Sequence, residues 1–585
     1  MTVADESKQL VRVTTNDRQT FKTTCRQFWL ISRSFFGSER RHKARGLMIG
    51  LLLLALAVGG VQVLMSYASR DFFTAIERKQ PAAYWAALAW YLGTFALAVP
   101  IGVFYRWVEE RLALLWREWM AQHLVKRYFN NRAYFRLRGL ESVDNPDQRI
   151  SEDVRNFTTN SLSFLLIVLN SLVTLVAFIG VLWMISSTLV GIMVVYAVAG
   201  TAISIAIGRK LVRLHYHQYE QEANFRYGLV RVRDNAESIA FYRGEKREHL
   251  DLFKRLAAAV ANMHLIIILN RNLGFFTNSY NYLALVLPVI VVAPIFMRGQ
   301  VEFGVITQTA GAFAQVLAAF SLIITQFGGL STYLASIQRL GSLWDQLDEH
   351  DSEEDRIASE AENIPNEDSR IVKLDKLNIC TPDNGRTLVK ELSFELRANQ
   401  SLMIMGPSGT GKSSVLRTIA GLWPGGGGSL ERPAFDHLMF LPQQPYMVEG
   451  SLRDQLLYPY PERGISEEEI RQVVTDVNLA DVFERVDNDL NRVLDWGNLL
   501  SLGEQQRIAF ARLFLRNPKF AFLDEATSAL DEENQRALYR RIKKSNIGFI
   551  SVGHRTTLMD HHDRLLELDR SGTWKILSGV GTKDI

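Results

Sequence analysis

Eight consecutive residues, Gly406-Pro407-Ser408-Gly409-Thr410-Gly411-Lys412-Ser413, carry the most specific chemistry in this sequence. They fit G-x-x-x-x-G-K-[ST], a loop whose backbone N–H groups close around phosphates. An apolar run at 401–405 precedes them, and a helix-like run at 413–420 follows. The spacing therefore predicts strand, loop and helix, with the helix N-terminus adding partial positive charge. Lys412 is placed to reach the terminal phosphates of a nucleotide. The Ser413 hydroxyl is placed to hold Mg²⁺, and Ser414 is counted with the same phosphate-binding turn. ATP and Mg²⁺ are the cofactors this chemistry calls for.

A second element lies about 110 residues further on, at Phe520-Ala521-Phe522-Leu523-Asp524-Glu525. Four apolar residues predict a buried strand that ends in two carboxylates. Asp524 suits an Mg²⁺ ligand acting through water. Glu525 suits a general base that polarises the attacking water. An apolar run before Asp-Glu is common, so its weight comes from its distance to the phosphate loop.

Between the two stands Leu500-Ser501-Leu502-Gly503-Glu504-Gln505-Gln506-Arg507, which resembles the signature motif of ABC ATPases, usually Leu-Ser-Gly-Gly-Gln. Gln443 resembles that family's Q-loop glutamine, an Mg²⁺ and nucleotide contact. Ser528-Ala529-Leu530-Asp531 resembles its D-loop, and His554 its switch histidine. The resemblance implies that Asp531, Ser501 and Gly503 belong to the nucleotide site, and Glu525 and His554 to catalysis. It also implies that one chain's phosphate loop meets Ser501 and Gly503 of a second chain, with ATP between them. The sequence departs from the pattern at Leu502, where glycine is usual. It departs again at Cys380-Thr381-Pro382, where an adenine-stacking aromatic is usual; Thr381 cannot stack.

The membrane half narrows the resemblance. Asp144-Asn145-Pro146-Asp147-Gln148-Arg149-Ile150, Phe225-Arg226-Tyr227, Ala236-Glu237-Ser238-Ile239-Ala240-Phe241-Tyr242 and Leu452-Arg453-Asp454-Gln455-Leu456-Leu457-Tyr458-Pro459 are similar to one group of half-transporters. It comprises the peroxisomal fatty-acyl (D-subfamily) transporters and bacterial relatives of the SbmA/BacA-like type. The resemblance implies an exporter-like fold, a homodimer and ATP-driven transport. It favours uptake of hydrophilic compounds such as peptides or cobalamin-like molecules. Lipid or fatty-acyl-CoA movement is the first rival, and a non-transporting ATP-dependent regulator the second. By the same resemblance, Glu237, Arg243 and Glu245 and the turn at Asn145-Pro146 are expected where two cytoplasmic loops touch the ATPase.

The elements that must position these residues are legible from composition. A chain of 585 residues is too long for one core. Residues 47–65 and 84–105 are uncharged, as are residues 161–208 and 273–297. Each of the shorter runs is long enough to cross a bilayer. The third is long enough for two spans, with a tight turn expected at Ser186-Ser187. A sixth span over 303–338 is long enough to project beyond the membrane. The expected fold is an α-helical transmembrane bundle of six spans followed by an α/β P-loop ATPase domain. Its divisions are a cytoplasmic segment at 1–45, the bundle at 46–345, an acidic linker at 346–369 and the nucleotide-binding domain at 370–585.

Basic residues cluster in the N-terminal segment and in two long loops, near 106–160 and 209–272. The short loops hold only Arg70, Arg78, Lys79 and Arg298. That asymmetry predicts both termini and the ATPase in the cytoplasm, and the resemblance to the bacterial half-transporters implies a bacterial inner membrane. A net charge of +4 is small for this length and argues against nucleic acid as a partner. The two cysteines, Cys25 and Cys380, cannot build a disulfide framework. The expected partners are a second copy of the chain, the bilayer, and a small-molecule or peptide substrate. The uncharged polar residues of the spans include Asn170, Thr174, Tyr196, Asn278, Tyr280, Asn281, Tyr282, Gln308, Gln315 and Gln326. Each is either a cavity group or interhelical glue.

Overall fold

The computed structural model describes residues 22–137, 145–325, 327–360, 370–381, 386–423, 427–460 and 464–578. Asp144, Gln326, Pro382, the first 21 residues and the stretch 361–369 of the expected linker lie outside them. Two compact units divide the chain, one ending at Asp351 and one beginning at Ser352.

The first unit is helical. Five described helices are long and apolar enough to cross a membrane: Arg41–Glu77, Pro81–Phe129, Pro146–Ile185, Glu245–Met297 and Phe303–Phe320. Ser187–Ile203 is apolar over a shorter stretch. The uncharged run at 161–208 is divided where a turn is expected. Helix Val154–Ile185 ends at Ser186, whose extended backbone starts helix Ser187–Asp234. Pro288 and Pro294 sit inside helix Glu245–Met297, as transmembrane helices tolerate. The spans continue as helices well beyond the apolar runs. In Pro81–Phe129 this extension buries Leu112, Trp116 and Trp119, one helical face at the expected spacing.

The acidic stretch adds a detail that composition does not carry. Helix Phe327–Glu360 runs through residues 346–360, within the expected linker. Charge density marks a segment outside a core, and Glu, Gln, Leu and Ala are good helix formers, so the same composition allows a helix. Arg149, from the Asn145–Ile150 motif, is buried in this unit. Its Nη1 donates to the Arg339 carbonyl at 2.8 Å and to Ser342 Oγ at 2.5 Å. Arg339 in turn holds the buried Asp153 through two bonds of 2.8 and 2.6 Å. A buried carboxylate needs such pairing. Arg243 ends helix Ala236–Tyr242 in the left-handed conformation.

The second unit is an α/β domain. Its six-stranded sheet runs Leu438–Leu441, Phe520–Asp524, Gly548–Val552, Ser401–Met405, Arg564–Leu568 and Trp574–Ser578. All neighbours are parallel except the last pair. The central strands are buried on both faces and mostly apolar, with Ser401, Asp524 and Ser551 as the polar exceptions. A three-stranded antiparallel sheet of Thr387–Arg397, Ile371–Cys380 and Ser429–Glu431 lies beside it. Cys25 and Cys380 are both free thiols.

One buried titratable group is expected to make this unit acid-sensitive. His562 is 1% exposed, against the rings of Phe549 and Tyr539. Its Nδ1 donates to the Leu558 carbonyl at 2.7 Å. Burial pushes it from 6.5 down to about 4, so the fold holds it neutral. Its contribution is complete above pH 6.5 and is lost as pH falls towards 4, by up to about 3 kcal/mol. The thermal midpoint of wild-type protein should therefore fall across that window. His562→Asn, which keeps a donor for Leu558, should flatten the profile there. Identical wild-type and variant slopes would rule out this histidine as the source.

Candidate nucleotide site

Strand Ser401–Met405 delivers the phosphate loop to the carboxyl end of the sheet, where parallel α/β sheets bind ligands. Gly406 has φ +151°, and a Cβ there would come within 2.4 Å of the Leu568 carbonyl oxygen. No other residue fits that turn. Pro407, Ser408 and Gly409 form the exposed rim, and the Thr410 hydroxyl donates back to the Pro407 carbonyl at 3.0 Å. Gly411, with φ +94°, is the N-cap of helix Lys412–Ile419 and offers no side-chain cap. The first N–H groups of that helix are thus left for a ligand. Lys412 is 8% exposed, and its Nζ donates to the carbonyls of Gly406 and Pro407, both at 2.9 Å. Burial lowers its affinity for the proton, while Glu525 and Asp524 work the other way. Ser414 is buried in the helix, its carbonyl accepting from Thr418 at 2.9 Å.

Strand Phe520–Asp524 lies one strand away, across Gly548–Val552. The Ser413 hydroxyl donates to Asp524 Oδ1 at 2.8 Å. Burial raises the Asp524 carboxyl above its ordinary value, opposed by the Ser413 bond. The chain then turns sharply: Glu525 has φ +49°, and its N–H donates to the Val552 carbonyl at 3.1 Å. A left-handed backbone is strained for a glutamate. Here it aims the carboxylate between two other motifs. Gln443 Nε2 donates to Glu525 Oε2 at 3.0 Å, and His554 Nε2 lies 3.1 Å from Glu525 Oε1. Residues 443, 525 and 554 thus meet around one carboxylate, beside the Ser413–Asp524 pair.

The signature residues begin helix Leu502–Arg516. Ser501 is its N-cap in a reciprocal box with Glu504: Ser501 accepts from Glu504 N–H, and Glu504 accepts from Ser501 N–H at 2.9 Å. Arg485 also pairs with Glu504. Leu502 is the first helical residue, with its side chain 41% exposed. Gly503 lies under the D-loop; a Cβ there would sit 3.1 Å from the Ala529 carbonyl oxygen. Asp531, grouped by sequence with the nucleotide contacts, caps helix Glu532–Lys544. It accepts from Asn534 N–H at 2.8 Å and Asn534 Nδ2 at 2.9 Å, bonds that hold its carboxyl below the usual range. Thr381 closes a loop instead of facing a ring. Its N–H donates to the Arg386 carbonyl at 2.9 Å, and its hydroxyl accepts from Arg386 N–H at 3.2 Å.

Two organising residues were not singled out from sequence. Gln506 is fully buried. Its Nε2 donates to the Gln443 carbonyl at 2.9 Å and to Ser528 Oγ at 3.1 Å, and its Oε1 accepts from Ala529 N–H at 3.1 Å. One side chain therefore ties the Q-loop and D-loop to the signature helix. Arg555, next to His554, donates to the carbonyls of Leu530 and Ser528 at 2.9 and 3.0 Å. The available signal was a glutamine two residues before the apolar run Ile508-Ala509-Phe510, a position that only burial makes informative. Gln506→Leu keeps the volume and removes all three bonds, leaving buried groups unpaired at about 1–3 kcal/mol. We expect kcat for ATP to fall about tenfold or more, with KM little changed. An unchanged kcat in protein of normal thermal midpoint would contradict this.

The family comparisons agree with this geometry. The model described as ABC transporter transmembrane region 2 matches residues 31–297, and the ABC transporter model matches residues 389–528. ABC transporter D family member 2, chloroplastic, of Arabidopsis thaliana is 37% identical over 94% of this chain and 86% of its own length. The chain belongs to the ABC transporters. It is a half-transporter of the D-family kind, with one membrane region and one ATPase, and it is a multi-pass membrane protein. The human lysosomal cobalamin transporter ABCD4 is 33% identical over 80% of this chain and 82% of its own length. A bacterial Atm1-family ABC exporter with ATP bound shares the fold, with a TM-score of 0.70 at 19% identity, over 90% of this chain and 94% of that one. The half-transporter binds nucleotide and couples ATP hydrolysis to transport.

Proposed function

We propose that this half-transporter works as a homodimer in a bacterial inner membrane and takes up hydrophilic compounds such as peptides or cobalamin-like molecules. The observation that carries the reading is the meeting of Gln443, Glu525 and His554 beside the Ser413–Asp524 pair. In this reading Lys412 and the loop from Gly406 to Ser414 hold the ATP phosphates. Glu525 takes the proton of the attacking water, and His554 orients that carboxylate. The oxygen donors of Ser413, Asp524 and Gln443 suit Mg²⁺, a hard cation. Mg²⁺, when bound, neutralises charge on the β- and γ-phosphates. Ser501 and Gly503 serve the nucleotide of the second copy, and Asp531 serves by holding the D-loop at its helix start. The ATPase and both termini are cytoplasmic, in keeping with the few basic residues of the short loops.

The motifs at Asn145–Ile150 and Ala236–Tyr242 support placing the chain with the SbmA/BacA-like members. The cobalamin transporter among its relatives supports a hydrophilic cargo. The test is uptake of labelled peptides, cobalamin and oleoyl-CoA into right-side-out and inverted vesicles. ATP-dependent accumulation of peptide or cobalamin in right-side-out vesicles is expected. Accumulation of oleoyl-CoA alone would overturn the cargo assignment.

A further inference from the structure

We infer that the cavity lined by Gln62, Asn170, Ser171, Thr174 and Gln315 seats a neutral, amide-bearing group of the transported solute. The inference rests on the uptake reading above. The cavity, of about 220 Å³, lies between helices Arg41–Glu77, Val154–Ile185 and Phe303–Thr325. The rest of its lining is glycine, alanine and valine.

Polar side chains in a membrane bundle commonly serve as glue between helices. Tyr196 and Tyr280 do so here. Their rings stack at 4.4 Å, and each hydroxyl donates to the other residue's carbonyl, at 2.6 and 3.1 Å. The cavity differs. Ser171 is 8% exposed, and its hydroxyl has no hydrogen-bond partner among the described residues. Asn170 donates to the Tyr105 hydroxyl at 2.7 Å, which fixes the amide at the cavity wall.

The chemistry of the lining sets the ligand class. Among the described residues, no charged side chain lines the cavity. A carboxylate, a phosphate or an ammonium would enter without a counter-charge, at a large cost. Three primary amides and two hydroxyls offer donors and acceptors together. That set matches the N–H and C=O of an amide. A hydrocarbon chain would leave it unpaired. The size fits one group of a larger molecule, since pockets for whole drug-sized ligands run from about 300 to 1,000 Å³.

The test uses the full-length protein in proteoliposomes and a neutral tripeptide amide, N-acetylated, with a diazirine on its central side chain. After illumination, the label should map to peptides holding residues 55–62, 170–174 or 315–319. N-acetyl-trialaninamide should compete it away, and oleate should not. The double variant T174V/Q315M should raise the concentration of N-acetyl-trialaninamide needed for half-maximal competition about tenfold, as the loss of two neutral hydrogen bonds implies. Uptake of the tripeptide amide with the label confined to other helices would overturn the cavity assignment and leave the uptake reading standing. Labelling of the cavity without any uptake would support the cavity and remove the uptake reading. Competition by oleate equal to that by N-acetyl-trialaninamide would overturn the amide assignment.

Discussion

Glu525→Gln should bind ATP and hydrolyse it about a thousandfold more slowly than wild type, within the range that a positioned general base contributes. The substitution is nearly isosteric. The backbone strain at φ +49° is the same for glutamine as for glutamate. The side-chain oxygen still accepts from Gln443 Nε2, now 3.0 Å from Glu525 Oε2. Asp524, Ser413 and Lys412 remain in place, so the proposed phosphate and Mg²⁺ contacts are kept. What disappears is the basic oxygen facing His554. ATP should therefore persist on the protein, holding two nucleotide-binding domains together. The measurements are steady-state turnover in liposomes, and retention of labelled ATP together with a crosslink between two copies. Turnover within about threefold of wild type would remove Glu525 from the proposed role, because loss of a general base costs far more than that.

Lys412→Ala should weaken ATP binding itself. Hydrogen bonds to charged groups are worth about 1.5–3 kcal/mol, which corresponds to roughly 10- to 150-fold in Kd. The structure places the upper part of that range within reach. The ammonium is held inside the loop on the Gly406 and Pro407 carbonyls, both at 2.9 Å, where solvent screens it little. Alanine removes the ammonium from two neutral carbonyls and from the field of Asp524 and Glu525, but Asp524 keeps its Ser413 bond and the nearby Arg417 charge. A thermal midpoint near that of wild type should accompany the lost affinity. The decisive measurement is equilibrium titration with a fluorescent ATP analogue in the presence of Mg²⁺. Unchanged affinity would contradict the assignment of this loop to the phosphates. The two variants separate binding from chemistry: one loses ATP, and the other keeps it unhydrolysed.

Much of the architecture was legible from the chain. Uncharged runs mark the spans because a bilayer admits little charge, and the break at Ser186 falls where one run exceeds the length of one span. The phosphate loop is local in sequence, so its glycines, lysine and serine can be read together. The helix through residues 346–360 was not legible because composition reports solvation and not backbone conformation. The local partner of Asp531 was likewise not legible: both its oxygens accept from Asn534, a helix cap that motif position does not announce.

The sequence by itself determined which groups can do chemistry: a phosphate loop, two carboxylates at a strand end, a serine and glycine at a helix start, and one histidine. Those assignments depend on residue type and short spacing, which a linear chain displays. Only the tertiary structure decided how they are held. The left-handed turn at Glu525 is a backbone state that no side chain announces. Gln506 becomes a hinge of three motifs only because folding buries it beside the Gln443 carbonyl and the D-loop. The polar cavity likewise needs three helices far apart in sequence to bring Gln62, Thr174 and Gln315 to one place. In each case the physical reason is the same: burial and pairing across the sequence are properties of packing, and spacing along the chain does not encode them.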